Sequence, residues 1–234
     1  MGVMEKASAC TGCDVRTQAI CHVLGGDALA RFADSGRRRS VRKGETVMWQ
    51  GDQDGACATL TRGALKMVVV NEEGDERIVG TVYPADFVGS PFQSASTVQV
   101  TALTDSELCI FSRAAFAEAL QQNRPLEREL LRRTMADLER TRLDDSRMAS
   151  LGARARVAAL LADLAGRARP GCAIDPDGWL NLPLTRGEMA AMLDLRIETV
   201  SREITALESD GIIQRRGRSG LNVIDTRRLQ EAAS

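Results

Sequence analysis

Six cysteines, at positions 10, 13, 21, 57, 109 and 172, are the residues of this 234-residue chain best suited to chemistry. Three of them, Cys10, Cys13 and Cys21, fall within twelve residues of one another. In a reducing compartment such clusters serve as metal ligands or redox centres more often than as disulfides. Glu5 and Lys6 stand where a signal peptide would carry apolar residues, so the chain reads as cytoplasmic. The pair Cys10-x2-Cys13 alone suits zinc as well as an iron–sulfur centre, and the residues leave both open. His22, the one histidine, directly follows Cys21 and reads as a bystander. Cys57 and Cys172 stand apart and read as small packed apolar residues.

A second constellation lies near the C-terminus. Thr185-Arg-Gly-Glu188 is a capping box, in which the hydroxyl and the carboxylate satisfy free N–H groups at a helix start. Met189, Ala190 and Met192 point that helix towards a core, Leu193-Asp194-Leu195 makes a turn, and Ile197 to Leu207 forms a second helix. Val200, Ile204 and Leu207 mark its buried face, while Glu198, Ser201 and Arg202 share the opposite face with Thr199 nearby. Arg can fork onto guanine, Glu can accept from cytosine, and Ser can meet either kind of edge. Gly211 stops the helix, and Ile212 to Ile224 reads as a hairpin whose tip, Arg215-Arg216-Gly217-Arg218, suits phosphate. Together these form a helix-turn-helix with a wing, with Thr185 and Arg186 at the start of its first helix.

Between the two constellations run the elements that must position them. From about Leu29 to Phe111, short β-prone runs alternate with turns such as Gly51-Asp52-Gln53-Asp54-Gly55, the spacing of an antiparallel sandwich or roll. Asn123 and Pro125 open a helix that can run from Leu126 to about Met148, roughly 34 Å. Leu131, Leu138 and Asp145 recur every seven residues, with Thr134, Thr141 and Met148 as a companion row. Such a row either packs on its own domain or forms a two-fold seam weakened by Asp145 facing its copy. A further helix spans Ala153 to about Arg167. The divisions are 1–28 for the cysteine segment, 29–111 for the roll, 112–149 for the dimerisation helix and 150–234 for the winged domain.

Composition narrows the function. The 31 basic and 32 acidic residues nearly cancel, which excludes a uniformly basic nucleic-acid coat and an acidic tail protein. The longest apolar runs fall far short of the ~18–20 residues of a membrane span. Nothing resembles a nucleophile–base pair, a P-loop or a dinucleotide fingerprint, so an enzyme is not expected.

The order of roll, long helix and winged helix-turn-helix resembles the cyclic-AMP-receptor/fumarate-nitrate-regulator (CRP/FNR) superfamily of bacterial transcription factors. Residues 74–89 are similar to its roll signature, and Glu198-Thr-Val-Ser-Arg202 to the recognition motif of the Fnr-type oxygen-sensing branch. The resemblance implies an α+β fold with a cyclic-nucleotide-binding-like jelly roll. It implies a homodimer on double-stranded palindromes such as TTGAT-N4-ATCAA and a contact with RNA polymerase through the 71–76 or 84–89 loop. It further implies a [4Fe–4S] cluster on Cys10, Cys13, Cys21 and Cys109, the last at the end of the final roll strand. Cyclic nucleotide is not expected, because no Lys or Arg occurs between Arg77 and Arg113 to meet a phosphate.

Overall fold

The computed structural model describes residues 10, 12–53, 55–168, 174–175 and 177–234, with the side chains of 144–149 excepted. Cys172 lies outside the described residues. The chain divides into two compact units, one ending at residue 138 and the other spanning 139–234, so the division falls inside the long helix rather than after it.

The first unit is built on period-two strands folded into a roll. β1 (Gly36–Val41), β3 (Ala56–Arg62), β6 (Phe87–Val88) and β8 (Ser106–Ser112) form one antiparallel sheet in the order β1-β8-β3-β6. β2 (Thr46–Met48), β4 (Leu65–Val70), β5 (Glu76–Val82) and β7 (Gln99–Ala102) form the other, in the order β2-β7-β4-β5. Successive side chains on a strand point to opposite faces. On β8 that alternation sends Leu108 and Ile110 into the core between the sheets, beside Ala58 and Leu60 of β3. Cys109 and Phe111 face the other way, into a second core with Cys57 of β3.

A layer of arm and helices covers that outer face. It comprises a run of turns from Cys13 to Leu24, including a 3₁₀ turn at Ile20–Val23, then α1 (Gly26–Ser35), α2 (Arg113–Gln122) and the start of α3 (Arg124–Ser150). Phe32 stacks on Phe111 at 4.3 Å between centroids, and Phe116 meets both edge-on at 5.9 Å. The fit is close enough to demand glycine where α1 runs into β1, since a Cβ on Gly36 would lie 2.4 Å from the Phe111 ring. α1 and β1 were not anticipated from the sequence. The 112–149 segment likewise proves to be two helices, the first capped by the Ser112 hydroxyl accepting from the Ala115 N–H at 3.2 Å.

The second unit packs α4 (Ala153–Arg167) against α6 (Ile197–Ser209) and α7 (Thr226–Ala232), with α5 (Arg186–Leu193) beside α6. β9 (Leu180–Asn181), β10 (Ile213–Arg216) and β11 (Gly220–Val223) form the wing in the order β10-β11-β9. Leu161, Val200, Ile204 and Leu207 are fully buried, the kind of residue whose truncation costs about 2–5 kcal/mol. Leu193 is buried where Met192 was expected to be, and Met192 is only half-buried.

Candidate metal centre and nucleic-acid interface

Cys10, Cys13 and Cys21 of the arm and Cys109 of β8 line one cavity of about 280 Å³, together with Arg16, Phe32, Arg38, Thr59 and Phe111. Cys109 is not at the strand end, as the family resemblance implied. It sits in the middle of an interior strand, paired in register with Arg38 on one side and Thr59 on the other. Its position comes from the alternation on β8 rather than from a loop, so this sulfur is carried on a strand held by ladder hydrogen bonds on both sides.

Burial pushes the Cys10 and Cys21 thiols up, and lifts Cys109 to about 11 with help from the Cys13 and Cys10 charges. Arg38 opposes the rise at Cys10 and Cys109, as Arg16 does at Cys10 and Cys21. A metal centre taking these sulfurs as thiolates must therefore displace protons. Among the described residues no group of three or more His, Cys, Asp and Glu side chains is gathered to hold a single metal ion. Four cysteines lining one cavity are the donor type that iron–sulfur clusters take. Cys57 is fully buried in the outer-face core, and desolvation raises its thiol to about 12, as suits a packed apolar residue.

The arm meets α3 at a hydrogen bond from Arg133 and at the approach of His22 to Glu129. Glu129, only 6% exposed, accepts from Arg132 at 2.8 and 2.7 Å and from Arg133 at 2.7 Å, and His22 Nδ1 lies 3.8 Å away. Arg133 also donates to the Ala85 carbonyl at 3.1 Å and to the Gln18 carbonyl. Hydrogen bonds from Arg132 and then Arg133 hold the Glu129 carboxyl down at about 2. A carboxyl so depressed contributes stability above its unfolded value of about 4.3, and loses it as pH falls towards about 2. The gap in urea midpoint between wild type and Glu129→Gln should therefore be full at neutral pH and narrow from about pH 5 to about pH 3. A gap independent of pH would remove Glu129 from the acid response.

In the second unit the capping box forms as anticipated. Thr185 Oγ1 accepts from the Glu188 N–H at 3.2 Å, and Glu188 accepts from the Thr185 N–H at 2.9 Å. Asp194 takes the left-handed turn conformation at φ 52°. Glu198, Ser201 and Arg202 are exposed on the first turns of α6, with Thr199 half-buried. Arg202 lies 3.5 Å from Glu203, not on Glu198, which leaves Glu198 turned to solvent for contact. Arg186 is half-buried and donates to the Met189 sulfur at 3.5 Å.

The wing arginines differ from one another. Arg215 donates to Glu208 from both its backbone, at 2.9 Å, and its side chain, at 2.7 Å. Arg216 pairs with Asp175 and with Asp177 at 3.3 Å, and lies 4.8 Å over the Trp179 ring. Arg218 is exposed beyond the strand. Phosphate must compete with two carboxylates for Arg216. Asp175→Asn keeps the Oδ1 that accepts from Asp177 and Trp179 N–H groups. It should strengthen binding to unrelated duplex about two- to fivefold and steepen the salt dependence. An unchanged salt titration would contradict the competition.

α3 has two faces. Leu126, Glu129, Leu130 and Arg133 turn to the roll, while Leu131, Met135 and Leu138 are 60%, 56% and 49% exposed along one stripe. The sequence left the row of Leu131 and Leu138 open between an own-domain and a seam role, and in this chain it does not pack on its own domain. Thr134 and Thr141 are exposed beside it; the side chains of Asp145 and Met148 lie outside the described residues. Met135 was missed because it falls outside both seven-residue rows. Of the two loops implied as polymerase contacts, 71–76 is exposed throughout and 84–89 is largely buried.

An antiparallel roll, a long helix with an exposed apolar stripe and a winged helix-turn-helix define a DNA-binding transcription regulator rather than an enzyme. The Crp-like helix-turn-helix domain family matches residues 155–232, and the cyclic nucleotide-binding domain family matches residues 38–123. The chain is 35% identical to the transcriptional activator protein FnrL of Cereibacter sphaeroides over 96% of its own length and 91% of that protein's. It is 29% identical to the nitrogen fixation regulation protein FixK of Bradyrhizobium diazoefficiens, over 96% and 94% of the two chains. The solved structure of FixK2 from Bradyrhizobium japonicum shares the fold, with a TM-score of 0.76 at 21% identity over 85% of this chain and 98% of that one. The protein belongs to the CRP/FNR family, as an Fnr-type regulator. Among the described residues no helix is long and apolar enough to cross a membrane.

Proposed function

We propose that this protein is a homodimeric, cytoplasmic, oxygen-responsive transcriptional activator whose Cys10, Cys13, Cys21 and Cys109 hold a [4Fe–4S] cluster. The observation that carries the reading is the meeting of three arm thiols and one thiol from an interior strand on a single cavity. When bound, such a cluster supplies an oxygen-labile link among four thiolates.

The chain's own residues turn that link into a position. Cys109 is fixed by the sheet, so ligation fixes the turns carrying Cys13 and Cys21, and these turns touch α3 through Gln18. α3 offers Leu131, Met135 and Leu138 to a second copy, and the position of the arm biases that pairing. Shifting a two-state balance from about 1:99 to 99:1 takes roughly 5.5 kcal/mol. Two recognition helices then bind half-sites about one DNA turn apart, as on TTGAT-N4-ATCAA. The exposed 71–76 loop is the surface offered to RNA polymerase. The roll does not use cyclic nucleotide, having no basic residue from 78 to 112.

Anisotropy of a labelled TTGAT-N4-ATCAA duplex, measured under nitrogen and again after air, tests the reading. Affinity should fall at least about tenfold on aeration, as loss of one half-site contact implies. Equal affinity in both conditions would reject oxygen as the signal.

A further inference from the structure

Glu129 and Arg133 lie one turn apart on the inward face of α3, and neither lines the cysteine cavity. Arg133 leaves the helix to reach two separate segments at once: the Gln18 carbonyl, between Cys13 and Cys21 in the arm, and the Ala85 carbonyl, in the turn before β6. Those two segments are themselves packed together, for Val15 and Ala19 bury against Ala85, with Cys13 and Cys21 at the margin.

The Ala85 turn is built for this contact. Tyr83 and Asp86 close it with a backbone bond of 2.9 Å, and the Tyr83 N–H also donates to the Asp86 carboxylate at 2.9 Å. Ala85 sits at φ 80°, a region that residues with a Cβ enter only where their surroundings hold them. Its carbonyl is thereby turned towards Arg133. Glu129, buried beside it, orients the guanidinium. In sequence Arg133 falls between Leu131 and Met135, whose side chains stand in the exposed stripe on the opposite face, so the residue that touches the arm and the residues of the stripe share one stretch of helix backbone.

We propose that Arg133, oriented by Glu129, is the positioning residue that couples the cysteine arm to the dimerising face of α3; the inference rests on the oxygen-switch reading above. With the arm ligated, Gln18 presents its carbonyl to Arg133 and α3 is held. With the arm released, Arg133 keeps Ala85 but loses the arm, and the helix is freed from the state of the cysteines.

The test is sedimentation of wild type and Arg133→Ala, each before and after air exposure, with iron per chain measured on every sample. Couplings of this kind are typically about 5–150-fold, so the wild-type dimer should tighten by such a factor when iron-loaded. Arg133→Ala should hold as much iron as wild type while its loaded-to-aerated ratio falls to within about twofold of unity. A variant that keeps the wild-type ratio overturns the proposal. Arg133→Met, which keeps a long apolar stem but has no donor, replaces the alanine variant if that one does not fold, with the same expected ratio and the same overturning result. If wild-type protein takes up no iron, the switch reading fails on its own. The latch is then decided by hydrogen exchange: amides of 13–24 should exchange at least about tenfold faster in Arg133→Ala while those of 153–167 are unchanged, and equal exchange in the arm overturns it.

Discussion

Cys109→Ser should reduce iron retained under nitrogen from about four atoms per chain to less than one, and abolish the anaerobic gain in promoter affinity. The three arm cysteines belong to one segment outside the sheets, whereas Cys109 contributes the sulfur held between β1 and β3. Removing it takes away one of the four proposed ligands, the one among them that belongs to the sheet. Serine is close to cysteine in size, and Thr59 already places a hydroxyl beside this position, so the roll should remain folded. Cys57→Ala is the matched control. Cys57 lies on the same outer face but is fully buried away from the cavity, with its thiol raised to about 12. That variant should keep its iron and lose only packing. Full iron in Cys109→Ser, measured beside a Cys57→Ala sample, would refute the ligand assignment.

The second large effect is on DNA. Arg202→Ala should cost about 1–3 kcal/mol per half-site on TTGAT-N4-ATCAA, with little loss on scrambled duplex. The Arg202 side chain is 72% exposed at the start of the recognition helix, and its 3.5 Å approach to Glu203 is a weak surface pair that DNA can replace. Arg218→Ala is the contrast. It should weaken all sequences alike and lower the salt slope by about one, the behaviour of a phosphate contact. Equal losses for Arg202→Ala on both duplexes would make it a phosphate contact too.

Much of this was legible before any coordinates, where local chemistry determines local structure. The capping box at Thr185, the left-handed turn at Asp194, the buried face of Val200, Ile204 and Leu207, and the helix from Ala153 to Arg167 all rest on interactions within a few residues. What was missed depends on distant partners. β1 carries Arg37-Arg38-Arg39, a run without apolar alternation, and its pairing with β8 is what makes it a strand. α1 passes into β1 with no turn residue other than Gly36, whose role is to admit the Phe111 ring. The family resemblance put Cys109 at a strand end; its pairing on both sides belongs to the sheet and is not visible in chain order. Glu129 and Arg133 were missed, because an i,i+4 pair on a solvated helix is worth only a few tenths of a kcal/mol and marks nothing by itself. Only the approach of Gln18 and Ala85, far away in the chain, makes them a junction.

The exposed stripe of α3 ties these observations to function. Large apolar side chains left in water at helical spacing mark a surface with a partner, and here the same helix carries on its other face the residues that touch the cysteine arm. Under the proposed function, the contact to the cysteine arm and the dimerising stripe are thus carried by one helix.

Iron, acid-labile sulfide and molecular mass, determined on protein purified without air and again after exposure to it, test the central claim most directly. About four irons and four sulfides per chain in a dimer, followed by loss of both and dissociation in air, is the predicted result. A colourless protein with stoichiometric zinc, or a dimer indifferent to air, would contradict it.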